Sequence, residues 1–317
     1  MKTLIITGAN RGIGMEAAVQ FARQSDFQRI ILTVRSEAKG VAAVAAASEA
    51  SGAPASRFRF QVMDLESHQN VRQTVAALPS KIDAIVLNAG GLGGEDLTAN
   101  GVTCNFQMNV LGHAVLIEGL LEAGKLRAGA RVLYSGSETT RSVWLFSGLQ
   151  PFVDVSLADI EGCLTKASTR LTLGVAARRR MNLYSASKII GGLWISQLAK
   201  ERPEIYFVTV SPGGTFGTNV YRTMPKPIPF VMGLSVTKTV MTWLGAGHSL
   251  DVGAKRYVEA VSAASFPDRF PSGSVVGGGS WMGTSGALVE QSSFSSVYTD
   301  TAMQEEAARV VRAAMLQ

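Results

Sequence analysis

Cysteine is scarce in this chain, with only Cys104 and Cys163 among 317 residues. Two thiols imply no disulfide framework. Histidine is nearly as rare. His68, His113 and His248 stand far apart, with no second ligand at helical or hairpin spacing, so no metal site is expected. His113 reads instead as a satisfied polar residue packed on the helix that follows Asn109. No apolar run reaches the roughly 18 residues that span a bilayer, so stable membrane insertion is not expected. Met1-Lys2-Thr3 runs straight into a strand-like segment, without the apolar stretch and small-residue cleavage site of a secretory signal. Together these absences make the cytoplasm the expected location.

Thirty Lys and Arg against 24 Asp and Glu leave a net charge of +6, which raises the question of a nucleic-acid partner. The basic residues are scattered, except for Arg178-Arg179-Arg180. Neither zinc-finger spacing nor an RNP-like aromatic motif accompanies them, so no nucleic-acid partner is expected. The arginine triplet reads as a solvated turn just before the helix carrying Tyr184, or as an attraction for an acidic substrate.

What is present is a rhythm. Leu4–Ile6, Ile30–Val34, Phe58–Met63, Ala84–Leu87, Arg131–Tyr134 and Ile205–Val210 are short apolar runs separated by Ala-rich helical stretches. Near-continuous apolar strands alternating with helices predict a parallel sheet covered on both faces. The fold class is therefore α/β, a Rossmann-type doubly wound sheet, as a single domain over 1–317. Two segments break the rhythm, at about 138–181 and 218–250, and both follow strands on the side where such sheets bind ligands. They read as substrate-side insertions. The second carries Pro225, Pro227 and Pro229, then Phe230 to Leu234 and Trp243-Leu244, an apolar content that suits a hydrophobic small-molecule substrate. Glu305 to Val311 reads as an amphipathic terminal helix.

Gly8-Ala9-Asn10-Arg11-Gly12-Ile13-Gly14 follows the first strand and opens a helix. Glycines there permit a tight turn and let the backbone approach a pyrophosphate, whose charge sits on the helix N-terminus. The dinucleotide is chosen at the end of the second strand. An NAD site places a carboxylate there, whereas a 2′-phosphate needs cations. The chain offers Arg35, with no carboxylate before Glu37, and Arg11 stands in the glycine loop. A guanidinium matches phosphate with two parallel bonds, so NADP(H) is the expected cofactor. Asp64, with Leu65, ends the third strand. It is placed to bond an adenine amino group or, alternatively, to cap the next helix. Asn88-Ala89-Gly90 ends the fourth strand in small residues that let a cofactor pass close to the backbone.

Tyr184 and Lys188 stand at i and i+4, on one helix face. A free phenol, with a pKa of about 10, transfers protons poorly at neutral pH, and a neighbouring cation stabilises its phenolate. With the glycine motif, Asp64, Asn88-Ala89-Gly90, Asn109, Ser137, Tyr184-x3-Lys188 and Ser211-Pro212-Gly213 in this order, the chain resembles the short-chain dehydrogenases/reductases along essentially its whole length. The stretch from Asn100-Gly101-Val102 to Asn109-Val110-Leu111-Gly112-His113, with the late Ser272-Gly273 and Trp281, is most similar to the retinol dehydrogenase and protochlorophyllide reductase branch.

That resemblance implies Tyr184 as general acid in carbonyl reduction and as base in reverse. Lys188 would stabilise the phenolate and bond the nicotinamide ribose. Ser137 would hold the substrate oxygen, and Asn109 would anchor a water-linked proton relay to Lys188. Pro212, Gly213, Thr215 and Thr218 would lie over the nicotinamide. The implied activity is NADP(H)-dependent interconversion of a carbonyl and an alcohol on a bulky, mostly apolar substrate.

The chain departs from the pattern in three places. Ser137 lies 47 residues before Tyr184, much farther than is usual in the family, and Ser135 competes for its role. Thr218 falls one place late after Pro212-Gly213, and Thr215 falls early. Gly214 stands where light-dependent protochlorophyllide reductases carry a functional cysteine, which argues against C=C reduction of that type. That reaction, and a non-catalytic NADP(H)-binding sensor, remain the alternatives. A monomer and a homodimer are both compatible with the sequence.

Overall fold

The computed structural model of the chain describes residues 1–94, 96–140, 156–165, 176–218, 230, 234–243, 247–279, 286–293 and 295–316. The order of elements begins β1 (Thr3–Ile6), α1 (Gly12–Gln24), β2 (Arg29–Val34), α2 (Glu37–Ser51), β3 (Phe58–Val62), α3 (His68–Ala77) and β4 (Ile82–Leu87). It continues through α4 (Gly112–Glu122), β5 (Leu126–Ser135), α5 (Leu157–Thr165), α6 (Ala176–Glu201) and β6 (Tyr206–Val210). The chain closes with α7 (Ser235–Trp243), α8 (Leu250–Ser262), β7 (Val275–Gly278), β8 (Leu288–Glu290) and α9 (Thr301–Met315). A helical turn, Cys104–Phe106, and a π-turn, Gln107–Leu111, lead into α4.

The strands form one sheet in the order β3-β2-β1-β4-β5-β6-β7-β8, parallel except for the β7–β8 pair. Alternating residues of each strand feed two apolar layers, which is why the strands read as continuous apolar runs. Ile5, Ile85, Leu87, Val132 and Tyr134 pack towards α3, α4, α6 and α9. Leu4, Ile6, Val86, Leu133 and Val208 pack towards α1, α2 and α8. Strand order reverses between β1 and β4. The crevice at their carboxyl ends is where a doubly wound sheet takes a ligand.

Five of the six expected strands hold to within two residues, and β5 begins earlier, at Leu126. β7 and β8 were not expected, because short strands containing or flanking Gly277-Gly278 resemble turns. The helix carrying Tyr184 starts at Ala176, not near Leu183. Ala-Ala-Arg-Arg-Arg-Met-Asn-Leu has no breaker and is rich in strong helix formers. The arginine triplet therefore belongs to the first turns of α6 rather than to a turn before it, and Arg179 and Arg180 are half-buried there. Pro151, Pro225, Pro227, Pro229, Leu244 and Trp281 lie outside the described residues. The terminal amphipathic pattern is α9, tied to the body by Arg312, which pairs with Glu118 of α4 and Glu201 of α6.

At the end of the sheet opposite the crevice, two cations close helix ends. Arg57 donates to the carbonyls of Ala22, Ser25 and Phe27 at 2.6, 2.9 and 2.7 Å, binding the end of α1 to the entry of β2. Lys125 does the same for α3, donating to Val75, Ala76 and Leu78. Cations suit these positions because the last carbonyls of a helix lack intrahelical partners and carry its negative pole. Replacing Arg57 with alanine should lower the unfolding free energy by about 1.5–3 kcal/mol, the scale of hydrogen bonds to a charged group. Urea denaturation measures that change.

Candidate active site

The loop after β1 is shaped by its glycines. Gly8 and Gly12 take positive φ, at 63° and 59°. A Cβ on Gly8 would touch Ala89 at 3.0 Å, and one on Gly14 would meet Asn88 Nδ2 at 2.5 Å and the Gly8 carbonyl at 2.8 Å. The β1 and β4 loops therefore close on each other, and Asn88 Nδ2 donates to the Thr7 carbonyl at 2.9 Å. A Cβ on Gly12 or Gly91 would meet nothing within 4 Å. This open side faces the start of α1, whose N-cap position is Arg11 and whose first turn receives no side-chain cap. Uncapped amides at a helix N-terminus, bare backbone above them, and the exposed Arg11 and Arg35 nearby suit a phosphorylated dinucleotide.

The other positions expected to meet a cofactor lie along the same edge. Asn10 and Ile13 are half-buried in the glycine loop and the first turn of α1. Asp64 follows β3, and its Oδ1 accepts the Glu66 amide at 3.1 Å. The cap of α3 is Ser67, which accepts the Asn70 amide, so Asp64 does not cap that helix. Leu65 is buried. Its carbonyl accepts from Gln107 Nε2 at 2.8 Å and would lie 2.4 Å from a Cβ on Gly112. Gly90 lies against Asn109, since its Cβ would come 2.4 Å from Asn109 Oδ1.

After β6, the Pro212–Thr218 loop is pinned by backbone bonds of Phe216 and Gly214 to His248, at 2.9 and 2.8 Å. Thr215 Oγ1 donates within the loop, to Pro212 and Gly213, and Thr218 Oγ1 donates to the Thr215 carbonyl. Among the described residues no three His, Cys, Asp or Glu side chains gather as a metal ion would require.

Tyr184 and Lys188 lie in the buried middle of α6, against the end of β5. The Lys188 ammonium donates to the Ser135 carbonyl at 2.8 Å and sits 5.9 Å from the Tyr184 ring centroid. Burial brings its pKa down to about 7. Ser137 and Lys188 line one small cavity with Thr209, Ser211 and Gln291. Ser137 Oγ lies 3.0 Å from Thr139 Oγ1. Ser135 points to the opposite face, its Oγ 2.5 Å from the hydroxyl of Tyr257 on α8. Glu138, next to Ser137, is buried. Its Oε1 accepts the Gly278 amide at 3.2 Å and lies 3.7 Å from Arg256, which also donates to the Ser211 carbonyl. This group ties the turn after β5 to the turn after β6.

Asn109 sits in the π-turn, a helical irregularity common at functional sites. Its Nδ2 donates to the Gly91 and Asn105 carbonyls at 3.0 and 2.9 Å and reaches Ser187 Oγ at 3.3 Å. Its Oδ1 accepts the Gly91 amide at 3.0 Å. Asn109 therefore orders the loop after β4 and meets the helix of Tyr184 through Ser187. His113, as expected, is a satisfied buried polar residue, bonded to Thr7 and to the Asn109 carbonyl. Burial, with the charge of Lys188, lowers its pKa to about 3, so it is neutral at physiological pH. Ser187, Tyr134, Glu138 and Arg256 escaped the sequence reading, because strand and helix periodicity marks them only as interior positions.

A family model described as short chain dehydrogenase matches residues 2–145. This part of the chain is therefore similar to the short-chain dehydrogenases. It is 27% identical over 272 residues to the short chain dehydrogenase sol3 of Alternaria solani, covering 83% of this chain and 87% of that one. Against the short chain dehydrogenase FGM9 of Gibberella zeae it is 34% identical over 127 residues, 39% of this chain and 37% of the relative. The chain therefore spans little more than a third of that relative's length. Protochlorophyllide reductase B of Hordeum vulgare is 27% identical over 69% of this chain and 57% of its own, which fits the branch expected from the Asn100–His113 stretch. The fold is that of the L-sorbose reductase from Gluconobacter frateurii, solved with NADPH and L-sorbose. The TM-score is 0.60 at 18% identity, over 86% of this chain and 93% of that one.

Lys188 also leaves a signature on stability. Its pKa of about 7 lies below the ordinary lysine value of 10.5. Between these values the unfolded state binds more protons, so stability rises with pH there. The burden of the buried charge is full below pH 7 and lifts towards pH 10.5. Lys188→Met should thus raise the thermal midpoint more at pH 6 than at pH 10, by calorimetry. A pH-independent increment would mean that folding leaves the Lys188 pKa at its ordinary value.

Proposed function

We propose that this chain is a short-chain dehydrogenase/reductase that interconverts a carbonyl and an alcohol with NADP(H), on a bulky, mostly apolar small molecule. The observation that carries the reading is the convergence of Tyr184, Lys188 and Ser137 at the carboxyl end of β5, with the Lys188 ammonium buried behind the phenol. Tyr184 donates its proton to the substrate oxygen, and Lys188 stabilises the phenolate that remains. Ser137, rather than Ser135, orients that oxygen, because the Ser135 hydroxyl is engaged with Tyr257 on the other face. The dinucleotide, when bound, supplies or accepts the hydride.

Several features support NADP(H). Arg11 and Arg35 are exposed beside the glycine loop, and the first carboxylate after β2 is Glu37, already within α2. The structural neighbour from Gluconobacter carries NADPH in its own complex. Gly8, Gly12, Gly14, Asn88, Ala89 and Gly90 form the backbone cradle, and Asp64 and Leu65 sit at the adenine end. The apolar side chains exposed on α7, Val236, Val240 and Trp243, motivate a mostly apolar substrate. The likeness to protochlorophyllide reductase B keeps C=C reduction as the second reading. Gly214 in place of a cysteine counts against it.

Turnover against bulky ketones, aldehydes and enones, with NADPH and NADH compared, tests the proposal. NADPH should be the better cofactor and the product an alcohol. Tyr184→Phe should lower kcat by about 10²–10⁴-fold, the usual worth of a positioned acid–base group, while NADPH still binds. Arg35→Ala should raise the KM for NADPH roughly 10-fold or more, as loss of a charged hydrogen bond does, and leave that for NADH unchanged. A saturated product from an enone would give the second reading, and NADPH binding without any turnover would identify a sensor.

A further inference from the structure

Tyr134 has no part in the chemistry described above. It is the next-to-last residue of β5, fully buried, on the sheet face that meets α6. The Lys188 ammonium lies over its ring, 4.9 Å from the centroid. Its hydroxyl donates to the Asn109 carbonyl at 3.0 Å. The helix opposite is cut away to admit it. At Gly191, about one turn beyond Lys188, a Cβ would lie 2.2 Å from the Tyr134 hydroxyl and 2.4 Å from its Cζ. A tyrosine wedged against a helical glycine, beneath the one lysine of the site, is more than filling for the core.

His113 completes the arrangement. It meets the Tyr134 ring edge-on, with centroids 6.3 Å apart, and its Nδ1 lies 3.3 Å from the same Asn109 carbonyl. A carbonyl only accepts, so in the neutral ring Nδ1 carries the proton and Nε2 is the acceptor. Nε2 lies 3.1 Å from Thr7 Oγ1, which in turn accepts the Ala89 amide at 2.8 Å. Continuous bonds thus run from the β4 loop through Thr7 and His113 to Asn109, and Tyr134 joins them to Lys188. Tyr134 and His113 thus both donate to the Asn109 carbonyl.

We propose that Tyr134 is a positioning residue for Lys188 and Asn109, holding the ammonium against its ring and, with His113, fixing the Asn109 carbonyl by hydrogen bonds. The inference rests on the catalytic reading of Lys188 given above. The ring face stabilises the charged form of Lys188 and opposes the burial that depresses it. Among the described residues, the other titratable groups near the ammonium include Tyr184 on its own helix, the neutral His113, and Tyr298, which lines the same cavity.

The test follows the titration of the Lys188 side chain by NMR in the full chain, with Lys188→Met for assignment, beside the pH profile of kcat. Tyr134→Leu removes the ring face and should lower the Lys188 midpoint by about one pH unit. The matching limb of the kcat profile should move with it, with the KM for NADPH within about threefold of wild type. Tyr134→Phe keeps the ring and should leave the midpoint in place. Gly191→Ala displaces the phenol without altering Tyr134 or weakening the helix, and should reproduce the shift seen with leucine. Tyr206→Phe, on β6 with its hydroxyl on the Phe270 carbonyl, serves as a control and should change neither readout. A folded Tyr134→Leu or Gly191→Ala protein with an unmoved Lys188 midpoint overturns the proposal, whatever its thermal stability. The titration needs no turnover, so an inactive wild type would count against the catalytic reading alone.

Discussion

Keeping a lysine ammonium away from water at the carboxyl edge of the sheet constrains everything around it. A charge with so little solvent access is tolerated only where oriented dipoles and polarisable faces replace its hydration. Lys188 finds the Ser135 carbonyl at the end of β5 and the rings of Tyr134 and Tyr184 on either side. Each partner occupies a fixed place: one on strand backbone, one on a strand side chain, and one a turn earlier on the same helix. The register of β5 against α6 is thereby specified by chemistry as well as by packing. A slip of one residue would exchange Tyr134 and Ser135 between the two faces of the sheet.

How much of this is legible in the sequence depends on whether a feature is local. The first six strands are legible because each is a short, nearly unbroken apolar run between helices. The glycine loop and the Tyr184–Lys188 pair are legible because their spacing is itself the chemistry. The start of α6 is not, because a run of three arginines looks like solvated surface although its helix propensity is high. β7 and β8 are obscured by their glycines and by their place at the sheet edge. The connection of Thr7, His113, Asn109, Tyr134 and Gly191 joins five positions scattered over most of the chain. No periodicity links them, and only the crossing of β5 over α6 brings them together.

The family match follows the same division. It covers residues 2–145, which hold the glycine loop and strands β1 to β5, whereas the helix of Tyr184 and Lys188 lies beyond it. Matches to the Alternaria and Hordeum relatives extend farther at lower identity, and the fold likeness extends over most of the chain. A shared cofactor scaffold followed by a more individual second half is what substrate choice would produce in this architecture. The backbone that cradles a dinucleotide has little freedom to vary, whereas the pocket for the other reactant has much.

The low pKa of Lys188 has one further chemical consequence. An amine that titrates near neutrality is partly unprotonated in the cell, and a free amine adds to aldehydes and ketones to give an imine. Under the proposed carbonyl chemistry, such an amine risks being blocked by the substrate itself. Charge offers no protection at that pH, so protection falls to access. Lys188 is only 3% exposed, with the Tyr184 and Tyr134 rings beside it. Attack on a carbonyl carbon needs an unobstructed line of approach, which these rings leave little room for. In the proposed reaction, the phenol that gives a proton to the substrate would also keep that substrate from condensing with the lysine behind it.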